Sequence, residues 1–395
     1  TKGRILIEEL NCVACHQNSE LVSTSKKSPR LAKVGSRLSP DYIKKFLIDP
    51  KSTKPGTLMP HTLGHLNEKD QIKVAESLTH YLVSLDNKKK FELQVPDSVA
   101  AEHGEALFHQ VGCAACHSPR DNEGKEIMAE KSVPLGPLEK KYSHQGLTEF
   151  LKRPHAYRPS GRMPDLGLPH QDIEKISHYL LRKIQVPGNL KYITWRGKVW
   201  EGLEGDIEKE AAGQVADFNL ESIGKIHHQT AIQYSGFLKI KTQGEYAFDL
   251  QLNGGSLTIN NKTIFNEKPS NRRGTKKFSV STNLEEGLSK IDFVYFHTGR
   301  DPKLIFEVEG PGLKKGPLSP EILTAYDRPI EISSALQTDP VLIAKGREHF
   351  TKMGCANCHD DINKKPNKPY PEMVKLRLGH GCLSNQNQGP RYDLD

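Results

Sequence analysis

Gly104-Glu105-Ala106-Leu107-Phe108-His109-Gln110-Val111-Gly112-Cys113-Ala114-Ala115-Cys116-His117 is the stretch from which the fold can be read. Its first half has the spacing of a short amphipathic helix and runs directly into two cysteines and a histidine. The same string recurs, without gaps, from Gly3 to Cys12-Val13-Ala14-Cys15-His16 and from Gly346 to Cys355-Ala356-Asn357-Cys358-His359. Six of the seven cysteines therefore fall in three identical pairs, and Cys382 stands alone. An internal repeat of this kind sets the organisation of the chain.

Outward from the motifs, the first two copies continue in parallel. Asp41-Tyr42-Ile43-Lys44-Lys45-Phe46-Leu47 matches Leu147-Thr148-Glu149-Phe150-Leu151, and both predict a short helix. A Pro/Gly-rich loop follows, ending in Leu58-Met59-Pro60 or Arg162-Met163-Pro164. Each copy closes on an amphipathic pattern, from about Glu68 to Leu85 and from about Gln171 to Lys183. After residue 188 the periodicity changes to strict alternation, as in Tyr246, Phe248, Leu250 and Leu252, or Ile291, Phe293 and Tyr295. Asn253-Gly254-Gly255, Asn260-Asn261 and Glu286-Gly287 mark the turns between strands. The expected fold class is multidomain α + β, with three small all-α domains and one all-β sandwich. The expected boundaries are 1–88, 98–186, 190–312 for the β domain and 336–395. Gly310 to Pro320 reads as a linker.

Two cysteines at i and i+3 share a face and place both sulfurs within reach of the two vinyl groups on one porphyrin edge. The histidine that follows then sets an imidazole nitrogen on the iron. The expected cofactor is therefore haem c, three groups, covalently attached through Cys12, Cys15, Cys113, Cys116, Cys355 and Cys358, with His16, His117 and His359 as axial ligands. A second axial ligand has to arrive from a separate loop. Met59 and Met163 stand 43 and 46 residues after their histidines, at matching points of the repeat, in a chain with five methionines. The proline after each holds it extended. A zinc knuckle needs four ligands close together, and these pairs lie far apart in separate units. A thioredoxin-like dithiol needs a βαβ context that is missing here.

On these residues the first two units resemble class I c-type cytochromes, a few helices around one haem with His/Met ligation. The resemblance covers residues 1–186 well and 336–395 in part, and it implies assembly outside the cytoplasm, in the periplasm or an equivalent compartment. Residues 192–312 are similar to the β-sandwich domain first described in the anthrax protective antigen and found in adhesins and glycosidases. Tyr234-Ser235-Gly236-Phe237-Leu238, Gly244-Glu245-Tyr246-Ala247-Phe248 and Leu304 to Gly312 carry that likeness. Lectin members place adjacent aspartates after the second of these strands, where this chain has Leu252-Asn253-Gly254-Gly255. The combination resembles the large multidomain cytochromes of planctomycete bacteria.

The third copy departs from the pattern. The slot occupied by Met59 and Met163 in the others falls at Leu383 to Gln388, which has no methionine. The expectation is a clipped unit whose iron is open on one side or takes His380 or Cys382, with Met373 as a third candidate. An open iron would permit peroxidase-like or other small-molecule chemistry, the alternative to electron transfer between redox partner proteins.

A formal charge of +8 raises the question of nucleic acid, but the basic residues are scattered, as at Lys88-Lys89-Lys90 and Lys364-Lys365, and read as solvated surface. Haem propionates would lower the charge further. No apolar run approaches the roughly eighteen residues of a membrane span, and the basic start Thr1-Lys2-Gly3-Arg4, leading straight into an amphipathic pattern, does not read as a secretory leader. Redox proteins, and a glycan reached through the β domain, are the expected partners.

Overall fold

The computed structural model describes residues 2–14, 16, 26–86, 89–119, 121, 125–128, 130, 132–186, 188–201, 207–269, 274–299, 301–329, 336–359, 362 and 371–375. The chain forms two compact units. One gathers residues 1–94, 108–177 and 333–395, the other residues 95–107 and 178–332.

Ten helices occur among the described residues: α1 (Lys2–Glu9), α2 (Val34–Arg37), α3 (Pro40–Ile48), α4 (Pro50–Thr53), α5 (Glu68–Ser84), α6 (Ser98–Gln110), α7 (His144–Lys152), α8 (Pro154–Tyr157), α9 (His170–Leu180) and α10 (Pro340–Lys352). Their starts follow local chemistry. Ser39, Asn67 and Ser143 each accept a hydrogen bond from the backbone three residues on, and Asp339 accepts from Val341 N. Prolines occupy the first turn of α3, α4, α8 and α10, where no intrahelical N–H is needed.

In the helical unit, α5 is the centre of one core. Val74, Ala75, Leu78, Tyr81 and Leu82 bury one face against Val34, Ile43, Leu47 and Leu63. The helix laid along α5 is α10, which adds Phe350, Cys355 and Ala356 to the same core. Gly346 permits the approach, since a Cβ there would meet the Ser77 carbonyl and lie 2.7 Å from Tyr81 Cβ. Phe350 and Tyr81 meet edge to face at 5.6 Å, and His349 Nδ1 lies 2.8 Å from Ser77 Oγ. The sequence expectation attached α1 to this body. Instead α1 buries no residue, with Ile5 59% and Leu6 49% exposed. In the aligned repeat α1 carries Leu6 and Ile7 where α10 has His349 and Phe350. It has neither the imidazole for Ser77 nor the ring for Tyr81.

The two repeat bodies of this unit also touch. A bridge joins Leu38 to Tyr142. On either side of it, Ser39 N donates to Lys141 O and Ser143 N donates to Arg37 O.

In the second unit, β1 (Leu190–Arg196), β2 (Glu208–Val215), β3 (Thr230–Ile240), β4 (Gly244–Leu252), β5 (Gly254–Ile259), β6 (Lys262–Glu267), β7 (Lys276–Leu284), β8 (Gly287–His297), β9 (Ile305–Gly310), β10 (Leu313–Pro317) and β11 (Leu323–Thr324) form two antiparallel sheets. The larger runs β2-β1-β3-β8-β5-β6, with β11 also on β3, and the smaller runs β10-β9-β4-β7. The alternating residues Tyr246, Phe248, Leu250 and Leu252 from one sheet and Ile291, Phe293 and Tyr295 from the other share one core, as expected of a sandwich. Asn260 and Asn261 both have positive φ (49° and 65°), the geometry of a tight hairpin turn. Gly310 to Pro320 is not a free linker. Leu313–Pro317 pairs with β9, and Leu318 and Leu323 are buried.

Candidate functional site: three attachment turns

The three Cys-x-x-Cys-His segments have one geometry. The residue before the first cysteine is left-handed in each: Asn11 (φ 56°), Gly112 (φ 90°) and Gly354 (φ 75°). Glycine adopts that conformation freely, and asparagine is the side chain that tolerates it best. A single 3₁₀ turn follows, at Cys12–Ala14, Cys113–Ala115 and Cys355–Asn357. It is closed by the histidine N–H donating to the first cysteine's carbonyl at 2.9 Å, in His16, His117 and His359 alike. Cys15 lies outside the described residues. Cys12, Cys113, Cys116, Cys355 and Cys358 are free of disulfides.

Each histidine is held from behind. His16 Nδ1 lies 2.7 Å from Pro371 O, His117 Nδ1 2.9 Å from Val133 O, and His359 Nδ1 2.9 Å from Pro29 O. A carbonyl can only accept, so Nδ1 carries the proton and Nε2 keeps its lone pair. A backbone carbonyl behind an imidazole is the usual support of a metal-ligating histidine, fixing ring angle and tautomer.

The structure places two of the methionines near attachment cysteines. Met163 lines a recess with Cys113, Leu151, Pro164, Leu168, Ile173 and Ile176. Met59 is half-buried against the core that contains Cys355 and Ala356. Met373 stands two positions after Pro371, in a 3₁₀ turn. His380 and Cys382 lie outside the described residues.

Burial keeps the Cys355 and Cys113 thiols protonated. Cys355 is pushed up to about 12, and Cys113 is raised by the same cause. A disulfide-exchange centre needs the opposite shift, towards thiolate.

Four cations collect where the two repeat bodies meet. Arg37 is buried, donates to Lys33 O (3.1 Å) and Arg30 O (3.2 Å), and stacks over Tyr157 at 4.3 Å. Lys141 lies over Tyr42 and Tyr142 (4.9 and 5.0 Å), and Arg158 over Phe150 (5.1 Å). Burial first, and then neighbouring cations, draw Lys54 and Lys141 down to about 7. Arg37 is lowered mainly by burial too. No ion pair satisfies these four among the described residues. Arg37 is buried and Lys54, Lys141 and Arg158 are half-buried, with Glu149 near Arg37 as an acid acting on the cluster; cations so gathered call for further anions, and haem c carries two carboxylates. Paired thiols, carbonyl-backed imidazoles, methionine sulfur and anion-seeking cations together fit that group. The cation cluster escaped sequence reasoning, although a signal existed: Arg37 and Lys141 occupy the same repeat position, as do Lys54 and Arg158.

Among the described residues, the β unit offers no cation loop at the lectin position. Asn253 donates to Gly274 O and accepts from Thr298 Oγ1, so its side chain is spent internally. No helix among the described residues is long and apolar enough to cross a membrane.

The cytochrome c family matches residues 101–182. Cytochrome c oxidase subunit 2 of Bacillus sp. (strain PS3) is 37% identical over 86 residues, covering 19% of this chain and 23% of that protein, so the chain spans about a quarter of its curated relative. Among solved structures, the PA14 domain of the antifreeze protein MpAFP is 14% identical over 36% of this chain and 95% of its own, with a TM-score of 0.30. The epithelial adhesin 6 A domain of Candida glabrata, solved with Galb1-3GlcNAc, is 10% identical over 37% of this chain and 90% of its own, with a TM-score of 0.27. Residues 101–182, with Cys113, Cys116 and His117 near their start, carry a cytochrome c domain.

Proposed function

We propose that this chain is an extracytoplasmic c-type cytochrome that holds three haem c groups and passes electrons between redox partner proteins. The observation that carries the reading is the threefold recurrence of one turn, each with its histidine tied through Nδ1 to a backbone carbonyl. Bound there, haem c supplies a one-electron ferric/ferrous couple. The paired cysteines would tether it by thioethers, the histidines would hold the metal through Nε2, and Met59 or Met163 would supply a thioether ligand. Arg37, Lys54, Lys141 and Arg158 would neutralise the propionates. Extracytoplasmic assembly is the setting in which haem c is attached. The β sandwich docks the molecule against a protein or glycan, through surfaces such as the shallow polar recess of Glu245, Ser279, Ser281 and Glu309 on its smaller sheet. The test is a haem-to-protein ratio with intact mass. Three covalent haems per chain are expected, and the bare polypeptide mass would end the reading.

A further inference from the structure

We infer that the haem attached at Cys355 and Cys358 sits in the body formed by residues 26–86 and takes Met59 as its sixth ligand. One cytochrome unit is then built from two stretches of chain, with the second cytochrome and the β sandwich between them. The inference rests on the reading of the turns as haem c sites and adds the pairing of ligands.

Four independent contacts place the third attachment segment on this body. His359 Nδ1 meets Pro29 O at 2.9 Å, so the carbonyl behind the third histidine comes from the first repeat. Cys355 and Ala356 enter the core that Met59 covers. Phe350 and His349 engage Tyr81 and Ser77 of α5. The helix start is also anchored: Asp339 N donates to His80 Nδ1 at 3.0 Å. The contiguous second cytochrome repeats that last contact, with Asp97 N donating to His178 Nδ1 at 3.1 Å. Asp97 and Asp339 hold the same place ahead of their motifs, so α10 starts against α5 as the segment leading into α6 starts against α9.

Among the described residues, no contact of these kinds joins the first attachment segment to α5 or its core. Gly3, the counterpart of Gly346, has nothing within 4 Å of a built Cβ. Glu9 of α1 is held at the surface by Lys26 (3.2 Å) and Arg162 (3.4 Å). His16 has its carbonyl from Pro371. The segment behind the first imidazole is therefore the one around 371–375 and not the body of residues 26–86, which leaves Met59 to the third haem.

The paired glycines give the test. In the ferric holoprotein, methionine ligation is read from the sulfur-to-iron charge-transfer absorbance in the red. Gly346→Val is expected to remove one haem's share of that band, with Met59→Ala removing no more when added to it. Gly3→Val is expected to leave the band intact. Loss on Gly3→Val but not on Gly346→Val would give Met59 to the haem on Cys12 and overturn the pairing, as would a band indifferent to Met59→Ala. If Gly346→Val does not fold, the pair Ser77→Cys and His349→Cys should form a disulfide within one chain of the holoprotein. A disulfide between two chains, or none, would also overturn it. Haem content separates the two readings. A chain without covalent haem defeats the functional proposal, whereas three haems with the wrong glycine response defeat only the pairing.

Discussion

Leu38 and Tyr142 face each other in an antiparallel bridge and hold the same position in their repeats, in the register that sets Phe46 on Phe150. The flanking hydrogen bonds obey the same exchange, Ser39 N to Lys141 O and Ser143 N to Arg37 O. Such reciprocity defines a two-fold interface, here between two halves of one chain. A tandem duplication brings this interface with it, because each half already carries the surface that the other needs.

Gly146 lies on that axis, where a Cβ would stand 2.6 Å from Arg37 Cα and 2.7 Å from Arg37 O. Backbone cannot yield as a flexible side chain does. Gly146→Val is therefore expected to push the bodies apart at a cost of about 3 kcal/mol, the upper end for overpacking, and to lower the Tm of the holoprotein. Calorimetry checks this, with Gly56→Ala, which has open space around it but a positive φ of 73°, as a milder control.

The cations on the same axis give a prediction of sign. Left to the side chains alone, Lys54 and Lys141 sit near 7 in the fold against 10.5 unfolded. A lysine so depressed is a burden while charged, and stability would rise with pH between those two values. Propionates seated there reverse the balance by giving each cation a partner. Lys141→Met is accordingly expected to lower the holoprotein's Tm at pH 7 and to lower the midpoint potential of a neighbouring haem. A rise in Tm would mean that no anion occupies the cluster.

Met163 offers the cleanest ligand test, since it lines its recess with Cys113 of the same contiguous domain. Met163→Ala is expected to remove one haem's share of the sulfur-to-iron band. It should also drop one midpoint potential by a few tenths of a volt, within the roughly 0.8 V that axial ligands command. A spectroelectrochemical titration reads both.

Much of this architecture was legible in the sequence. The 3.6-residue spacing located α5 and α9 to within a few residues, and alternation located the strands, because burial on one face imposes those periods. Gly310 to Pro320 misled because β10 is the edge of its sheet, where Pro317 and the lysines at 314 and 315 are tolerated. Which attachment helix lies on α5 was not legible, since α1 and α10 share one pattern. The choice is made by His349 and Phe350, whose partners Ser77 and Tyr81 lie far away in sequence.

Burial pulls His297 below its ordinary value, with the nearby His228 adding to the effect. The folded β unit then refuses a proton that the unfolded chain accepts below about 6.5. Its stability is full above that pH and falls as the pH drops towards the depressed folded value, by up to about 1.4 kcal/mol per unit. Both tryptophans of the chain, Trp195 and Trp200, lie in this unit, so their emission follows its unfolding. Wild-type protein is expected to lose denaturant resistance from pH 6.5 downward, and His297→Gln to flatten that slope.

Truncation energies separate the two competing helices, α1 and α10. Phe350 is 2% exposed and packs edge to face on Tyr81, so truncation leaves a cavity in the core around α5. Phe350→Ala is expected to cost about 3–5 kcal/mol. Ile5 of α1 is 59% exposed, and Ile5→Ala should change stability by less than about 0.5 kcal/mol. Denaturant unfolding of the holoprotein, followed at the haem absorbance, measures both. Equal losses would mean that α1 is packed as deeply as α10. A large loss for Phe350→Ala alone follows directly from α10 being the helix that α5 buries.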